Sequence, residues 1–190
     1  MIADCALEGI IAARLDGDLV RLSALTVGRV YVHHLATRTG SFALLTAWRD
    51  GGGPEINRRN SRRLQQQFRA AQIGFGRLIA RWTKGDFTYA IEPWLWVHGV
   101  RLETAVKLAS KYGQDAIGFS GRETAGAFEI LKLDAEAGAV TNVERFHQFD
   151  PIAVAAWYSE RGLVFDHVAQ GWFEGVWLGR VKRDTDQRAS

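Results

Sequence analysis

Apolar positions along this chain recur at two periods, near 3.6 and near 2, and the switches between them mark its elements. Residues 3–15 place Leu7, Ile10, Ile11 and Leu15 at helical spacing, which predicts a short helix ended by Asp16-Gly17. Residues 19–35 carry Val, Thr and Tyr in rough alternation and predict one or two strands with a break at Gly28. Thr37–Gly40 reads as a turn, and Ser41–Trp48 as a buried strand of nearly continuous apolar residues.

Asp50-Gly-Gly-Gly-Pro54 is the sharpest punctuation in the chain, and Pro54 suits the first position of a helix. That helix is predicted from about Glu55 to Gln72. On it Ile56, Leu64, Phe68 and Ala71 fall within one arc of about 120°. Arg58, Arg62 and Arg69 lie nearly opposite, and Arg59 and Arg63 flank the apolar stripe. Ile73–Trp82 and Phe87–His98 predict a hairpin turning at Lys84-Gly85-Asp86, with Pro93 marking an edge strand or a bulge. Gly74-Phe75-Gly76 is a bulge or turn signal. Arg101–Tyr112 is a second amphipathic helix with Gly113 as its C-cap, and Asp115–Phe119 a short strand.

The order across Ser41–Ser120 is strand, helix, strand, strand, helix, strand. This is the split βαβ arrangement, and it predicts an α+β fold with a ferredoxin-like core whose two helices cover one face of an antiparallel sheet. A further hairpin, Ala127–Leu133 and Ala139–Phe146, turns at Asp134–Gly138. Asp150-Pro151 opens a helix to about Arg161, Val168–Val181 is strand-like, and the polar tail Lys182–Ser190 is predicted to fray. One domain, 1–190, is expected, with its core at 41–120 and extensions 1–40 and 121–190.

Composition narrows the class. At 190 residues, 47% apolar and 24% charged, the chain is neither disordered nor collagen-like, and it has no apolar run long enough for a transmembrane helix. Its single cysteine, Cys5, excludes an internal disulfide framework and a cysteine zinc cluster, and fits a reducing compartment. Met1–Leu15 carries Asp4 and Glu8 and lacks the basic stretch of a secretory signal. The expected location is the cytoplasm of a bacterial or phage-infected cell, without a membrane partner.

Net charge is only +3, but it is unevenly spread. Thr46–Gly85 holds nine basic residues against Asp50 and Glu55, a local +7, which leaves −4 for the rest. Its arginines and lysine (Arg58, Arg59, Arg62, Arg63, Arg69, Arg77, Arg81 and Lys84) are the candidate site for nucleic acid or an acidic protein partner. Arginine forks match phosphate, and Gln65, Gln66 and Gln67 among them can reach sugars or bases. The competing expectation is a solvated face whose arginines pair with acids elsewhere in the chain.

Seven tryptophans are more than a core of this size needs. Trp94 and Trp96, two apart and so on one sheet face, are candidate interface residues. Adjacent His33 and His34 on a strand point to opposite faces, and no short His–His chelating spacing occurs, so no metal or other cofactor is expected. Glu129-Ile-Leu-Lys132 is one residue too long for the Glu-x-Lys pattern of metal-dependent nucleases, and neither a phosphate-binding loop nor a Gly-x-Ser-x-Gly elbow is present. Glu92, His98 and Glu129 are the candidates should the protein be an enzyme acting on nucleic acid.

Several segments together carry a resemblance. Thr46-Ala47-Trp48-Arg49 ends a strand, and the following helix bears Asn57, Asn60 and Leu64. Gly74-Phe75-Gly76, Glu92-Pro93 and Lys111-Tyr112-Gly113-Gln114-Asp115-Ala116 follow. This set, over roughly residues 41–120, resembles domain-of-unknown-function family 3293 of bacteria and phages. The family prefers asparagine-proline after the Ala-Trp pair, where this chain has Arg49-Asp50. The resemblance implies a small α/β domain of bacteria and mobile elements, with no catalytic residue to carry over. The expected function is non-enzymatic: an accessory protein of phage or mobile-element type that binds nucleic acid, or a complex handling it, through the arginine helix. A protein-interaction, assembly or inhibitor module using the arginines and exposed tryptophans is the second expectation. A metal-dependent nucleic-acid-processing enzyme is the third.

Overall fold

A computed structural model describes residues 24–31, 40–49, 51–84, 87–134, 137–147 and 149–168. Among these residues seven strands form one sheet: β1 (Phe42–Thr46), β2 (Phe75–Lys84), β3 (Phe87–His98), β4 (Ala116–Ser120), β5 (Phe128–Asp134), β6 (Ala139–Phe146) and β7 (Leu163–Val168). Their spatial order is β6-β5-β4-β1-β3-β2-β7, and every neighbouring pair is antiparallel. Among the described residues four helices accompany them: α1 (24–31), α2 (Gly53–Ala70), α3 (Leu102–Lys111) and α4 (Pro151–Ser159), with a short 3-10 turn at Arg122–Thr124. Strands and helices are thus mixed as the α+β expectation has them. β4, β1, β3 and β2 stand side by side, with a helix following β1 and another following β3.

Both faces of the sheet are covered, which explains why β1 is buried at all five positions instead of alternating. On one face Ala43, Leu45, Leu95, Val97, Ile117 and Phe119 pack against Leu64 and Phe68 of α2 and Ala105 and Ala109 of α3. On the other, Phe42, Leu44, Trp94, Trp96, Phe128 and Ile130 pack against Val27 and Val30 of α1 and Val154 and Tyr158 of α4. The C-terminal extension therefore adds three strands to the same sheet, and α1 and α4 close its second face.

Four expectations are corrected. The strand predicted within 19–35 is helical at 24–31. Ala24, Val27, Gly28 and, one turn on, half-buried Tyr31 follow helical spacing, and Tyr31 stacks on Phe149 with ring centroids 3.9 Å apart. Burial of that stripe outweighs the strand preference of Val and Thr. Pro93 is neither at a bulge nor in an edge strand, since β3 lies between β1 and β2. But β1 runs out at the Thr46–Trp94 pair, and the Thr46 hydroxyl, not a backbone amide, donates to the Pro93 carbonyl at 2.8 Å. An imino nitrogen on that side costs no ladder hydrogen bond. On α2 the buried stripe is Asn57, Ser61, Leu64 and Phe68, and Ile56 is half-exposed. Residues 163–167, predicted as no element, form β7 along β2 together with Val168, where the strand-like segment was expected to begin.

Gly76 is a place in β2 where a side chain cannot fit. It pairs with Trp96, and a Cβ there would fall inside the Trp96 indole. The signal read as a bulge or turn is a close approach within a strand. Gly113 ends α3 at φ +67° as expected of a C-cap, and the Arg49 side chain lies across it. Asp150 caps α4, its carboxylate accepting from the Ile152 amide at 2.9 Å ahead of Pro151 in the first turn. The predicted helix at 3–15, most of the strand-like Val168–Val181 and the tail Lys182–Ser190 lie outside the described residues, as does Cys5.

Candidate functional site

Two regions gather chemistry, one on each side of the sheet. The first is α2. Arg58, Arg59, Arg62, Arg63 and Arg69 are all exposed, as the wheel predicts. The Arg58 Nε donates to the Pro54 carbonyl at 3.2 Å. Among the described residues no carboxylate pairs with Arg58, Arg59, Arg62 or Arg63. Arg77 and Arg81 are half-buried on β2. Leu78 and Ala80 face the α4 side, so strand alternation turns Arg77 and Arg81 toward the α2 side. Lys84 ends β2. A groove of about 540 Å³ runs between α2 and α3, with Arg63 and Asn60 on one wall and Lys111 on the other. Tyr112 lines it and donates from its hydroxyl to the Gln67 side-chain amide oxygen Oε1 at 3.0 Å. Burial pushes the Tyr112 phenol above its ordinary range, and the neighbouring Arg63 charge opposes that rise.

The second region is a cavity of about 490 Å³ between the sheet and α4, at the end where β1 stops. Its walls are aromatic: Trp48, Trp82, Trp94, Trp157 and Tyr158. Trp94 meets Tyr158 edge-on at 5.8 Å, and Trp157 meets Tyr158 edge-on at 5.1 Å. Buried Glu92 lies at the same wall and accepts from the Trp94 indole N–H. The Arg161 guanidinium lies 3.6 Å over the Trp157 ring and donates to the Trp157 carbonyl at 2.7 Å. Two buried polar atoms in the lining, the Tyr158 hydroxyl and the Trp82 indole nitrogen, have no hydrogen-bond partner. Complete burial drives the Tyr158 phenol far above its usual range, against a small opposing pull from Arg161.

Local hydrogen bonds hold the loop that forms the cavity rim. Asn57 accepts from the Arg49 amide and donates to the Arg49 carbonyl, both at 2.9 Å, so its amide group copies one rung of a sheet. The Gln114 side chain donates to the Trp48 carbonyl, and the Trp48 amide donates to the Thr46 hydroxyl at 3.1 Å. Three of the five segments quoted above for their resemblance, Thr46–Arg49, Glu92-Pro93 and Lys111–Ala116, far apart in sequence, each contribute residues to this one cavity.

Residues 52–117 match the family model DUF3293, a protein of unknown function. No curated protein matches the chain. The DUF3293 segment contains α2, the β2–β3 hairpin and α3, and therefore the exposed arginines and one side of the cavity. β1, which threads the middle of the sheet, precedes the segment, and α4 and β7, which form the opposite wall, follow it.

Other predicted site residues are placed differently. Trp94 and Trp96 do share a face, but both are core residues, 5% and 1% exposed, because α1 and α4 cover that face. As side chains of an exposed interface they are corrected. Glu92, His98 and Glu129 are all buried and do not meet. Six residues of one strand, about 20 Å, separate Glu92 from His98. Glu129 sits on β5 in an ion pair with Arg145 of β6. Among the described residues no three His, Cys, Asp or Glu side chains are grouped to hold a metal. Sequence reasoning missed Trp82, Lys132, Trp157 and Tyr158 as cavity residues. The only signal was Trp157-Tyr158 next to Arg161 in the α4 sequence, a pattern that amphipathic helices share.

Proposed function

We propose that the protein binds nucleic acid through the arginine face of α2, as a non-enzymatic accessory factor of phage or mobile-element type. The observation that carries this reading is the set Arg58, Arg59, Arg62 and Arg63, exposed and without a described acidic partner. Successive turns of the helix present Arg58 and Arg62, and Arg59 and Arg63, at i and i+4, and the groove beside them has Arg63 and Lys111 on facing walls. Four cations in two neighbouring rows, each able to fork onto phosphate oxygens, suit a polyanion backbone with no demand on its sequence. The same reading takes residues 41–120 as a ferredoxin-like core, supported by the adjacent order β4-β1-β3-β2 and the helices after β1 and β3. A reducing, cytoplasmic setting in a bacterial or phage-infected cell accords with the single cysteine.

The test is fluorescence anisotropy with labelled single- and double-stranded DNA and RNA, at low and moderate salt. Four phosphate contacts on duplex predict a slope of log affinity against log salt of about −3 to −4. The variant Arg58→Ala/Arg62→Ala/Arg69→Ala should fold and lose most of that affinity. No binding by the wild type at low salt would end the nucleic-acid reading. The second reading, an acidic protein partner, draws on half-exposed Ile56 among the same arginines and is probed by capture on an acidic polypeptide in parallel.

A further inference from the structure

The aromatic cavity is separate from the arginine face and is built for something other than a polymer backbone. Trp48, Trp82, Trp94, Trp157 and Tyr158 supply ring faces and edges around it, the surface a planar heteroaromatic ring stacks on. Its floor holds polar atoms with work left to do. The Tyr158 hydroxyl is on a side chain only 3% exposed and has no partner, and the Trp82 indole N–H has none either. Buried polar groups in native proteins are nearly always satisfied, so two orphans lining one cavity point to a ligand whose polar edge completes them. The mouth is cationic. Arg49, Lys132 and Arg161 line the cavity against two acids, Asp115 and the buried Glu92 that the Trp94 indole engages; Arg161 also pairs with Glu160 at 3.6 Å, and Lys132 has no described acidic partner. The volume of about 490 Å³ lies within the range of small-molecule sites.

We propose that this cavity binds a nucleoside monophosphate, with the base stacked among the tryptophans and hydrogen-bonded to Tyr158 and Trp82, and the phosphate held at the mouth by Arg49 and Lys132. The site does not depend on the α2 reading. Its inner wall, Trp157 and Tyr158, comes from outside the DUF3293 segment, so the ligand is a property of this chain's C-terminal extension as much as of the family segment.

Isothermal titration calorimetry of the full chain with AMP, GMP, CMP and UMP tests this, with the matching nucleosides and inorganic phosphate as separate arms. Saturable one-to-one binding of at least one mononucleotide is expected, with its nucleoside weaker and phosphate alone weaker still. Arg49→Ala and Lys132→Ala, both at exposed positions, should each weaken the nucleotide roughly tenfold and leave the nucleoside unchanged. Tyr158→Phe should weaken both while the protein stays folded by circular dichroism. The variant Arg58→Ala/Arg62→Ala/Arg69→Ala should bind the nucleotide as the wild type does, even where it has lost nucleic acid. No saturable heat with any mononucleotide at millimolar concentration overturns the proposal. So does equal affinity in Arg49→Ala and Lys132→Ala, or loss of nucleotide binding in the α2 variant.

Discussion

Replacing Asn57 with alanine removes both hydrogen bonds that clamp the β1–α2 loop onto the helix. Each is a neutral bond of 2.9 Å to the Arg49 backbone, and Asn57 itself is 3% exposed. Two such bonds contribute about 2 kcal/mol net. Alanine gives back roughly 0.5 kcal/mol as a better helix former. The loss should therefore be about 1.5 kcal/mol, or roughly 3–6 °C in Tm for a chain of this length. Asn57→Asp keeps the acceptor but sets a carboxylate oxygen against the Arg49 carbonyl at a buried position, so it should lose at least as much as Asn57→Ala. Urea titration followed by tryptophan fluorescence measures both, and a lower midpoint at constant m is the expected pattern. A midpoint for Asn57→Ala that matches the wild type would refute the clamp. So would an Asp variant as stable as the wild type, because the donor bond to the Arg49 carbonyl would then contribute nothing.

Further predictions follow the same logic. Gly76→Ala forces a methyl group into the Trp96 indole and should cost at least about 1–3 kcal/mol by urea titration; an unchanged midpoint would mean the pairing of Gly76 with Trp96 is not as described. Arg145→Ala leaves Glu129 buried without its ion pair, whereas Arg145→Lys keeps a charge there, so thermal melts should rank wild type above Lys above Ala, and equal melts for Lys and Ala would sink the pairing. The phenols of Tyr112 and Tyr158 are both raised, so their contribution to stability is whole below the unfolded tyrosine value of about 10 and is lost as pH rises above it. Tyrosinate absorbance should then show Tyr158 ionising only as the fold is lost, and an ionisation of all tyrosines near pH 10 in folded protein would contradict its burial.

The parts of the fold written most plainly in the sequence are those with strong local signals. The run Asp50–Pro54 and the spacing of Leu64 and Phe68 place α2 within a turn of its true ends. Both long hairpins lie where the turn residues put them. What was misread depends on distant partners. Residues 24–31 have strand-forming side chains and become helical because the sheet face they cover rewards a helical stripe. Leu163–Val168 is too short to stand out, and only its pairing with β2 makes it a strand. The spacing of Trp94 and Trp96 assigns them correctly to one face, but whether that face is wet depends on α1 and α4, which local sequence does not link to them. The arginine face was legible because charge and period lie in one helix. The cavity was not, since its walls come from seven separate elements and from loops between them.

The central place of β1 has a consequence for how the chain can be divided. β1 pairs with β3 on one side and β4 on the other, and so joins the half-sheet β6-β5-β4 to the half-sheet β3-β2-β7. A fragment that begins at residue 52, where the family segment begins, would leave the facing edges of β3 and β4 bare, each a row of unmet amides and carbonyls. Such a fragment should self-associate. It should also accept a synthetic peptide spanning 41–49 as its missing strand, so that a chain cut in the glycine loop at 51–53 reassembles from two pieces by complementation in trans.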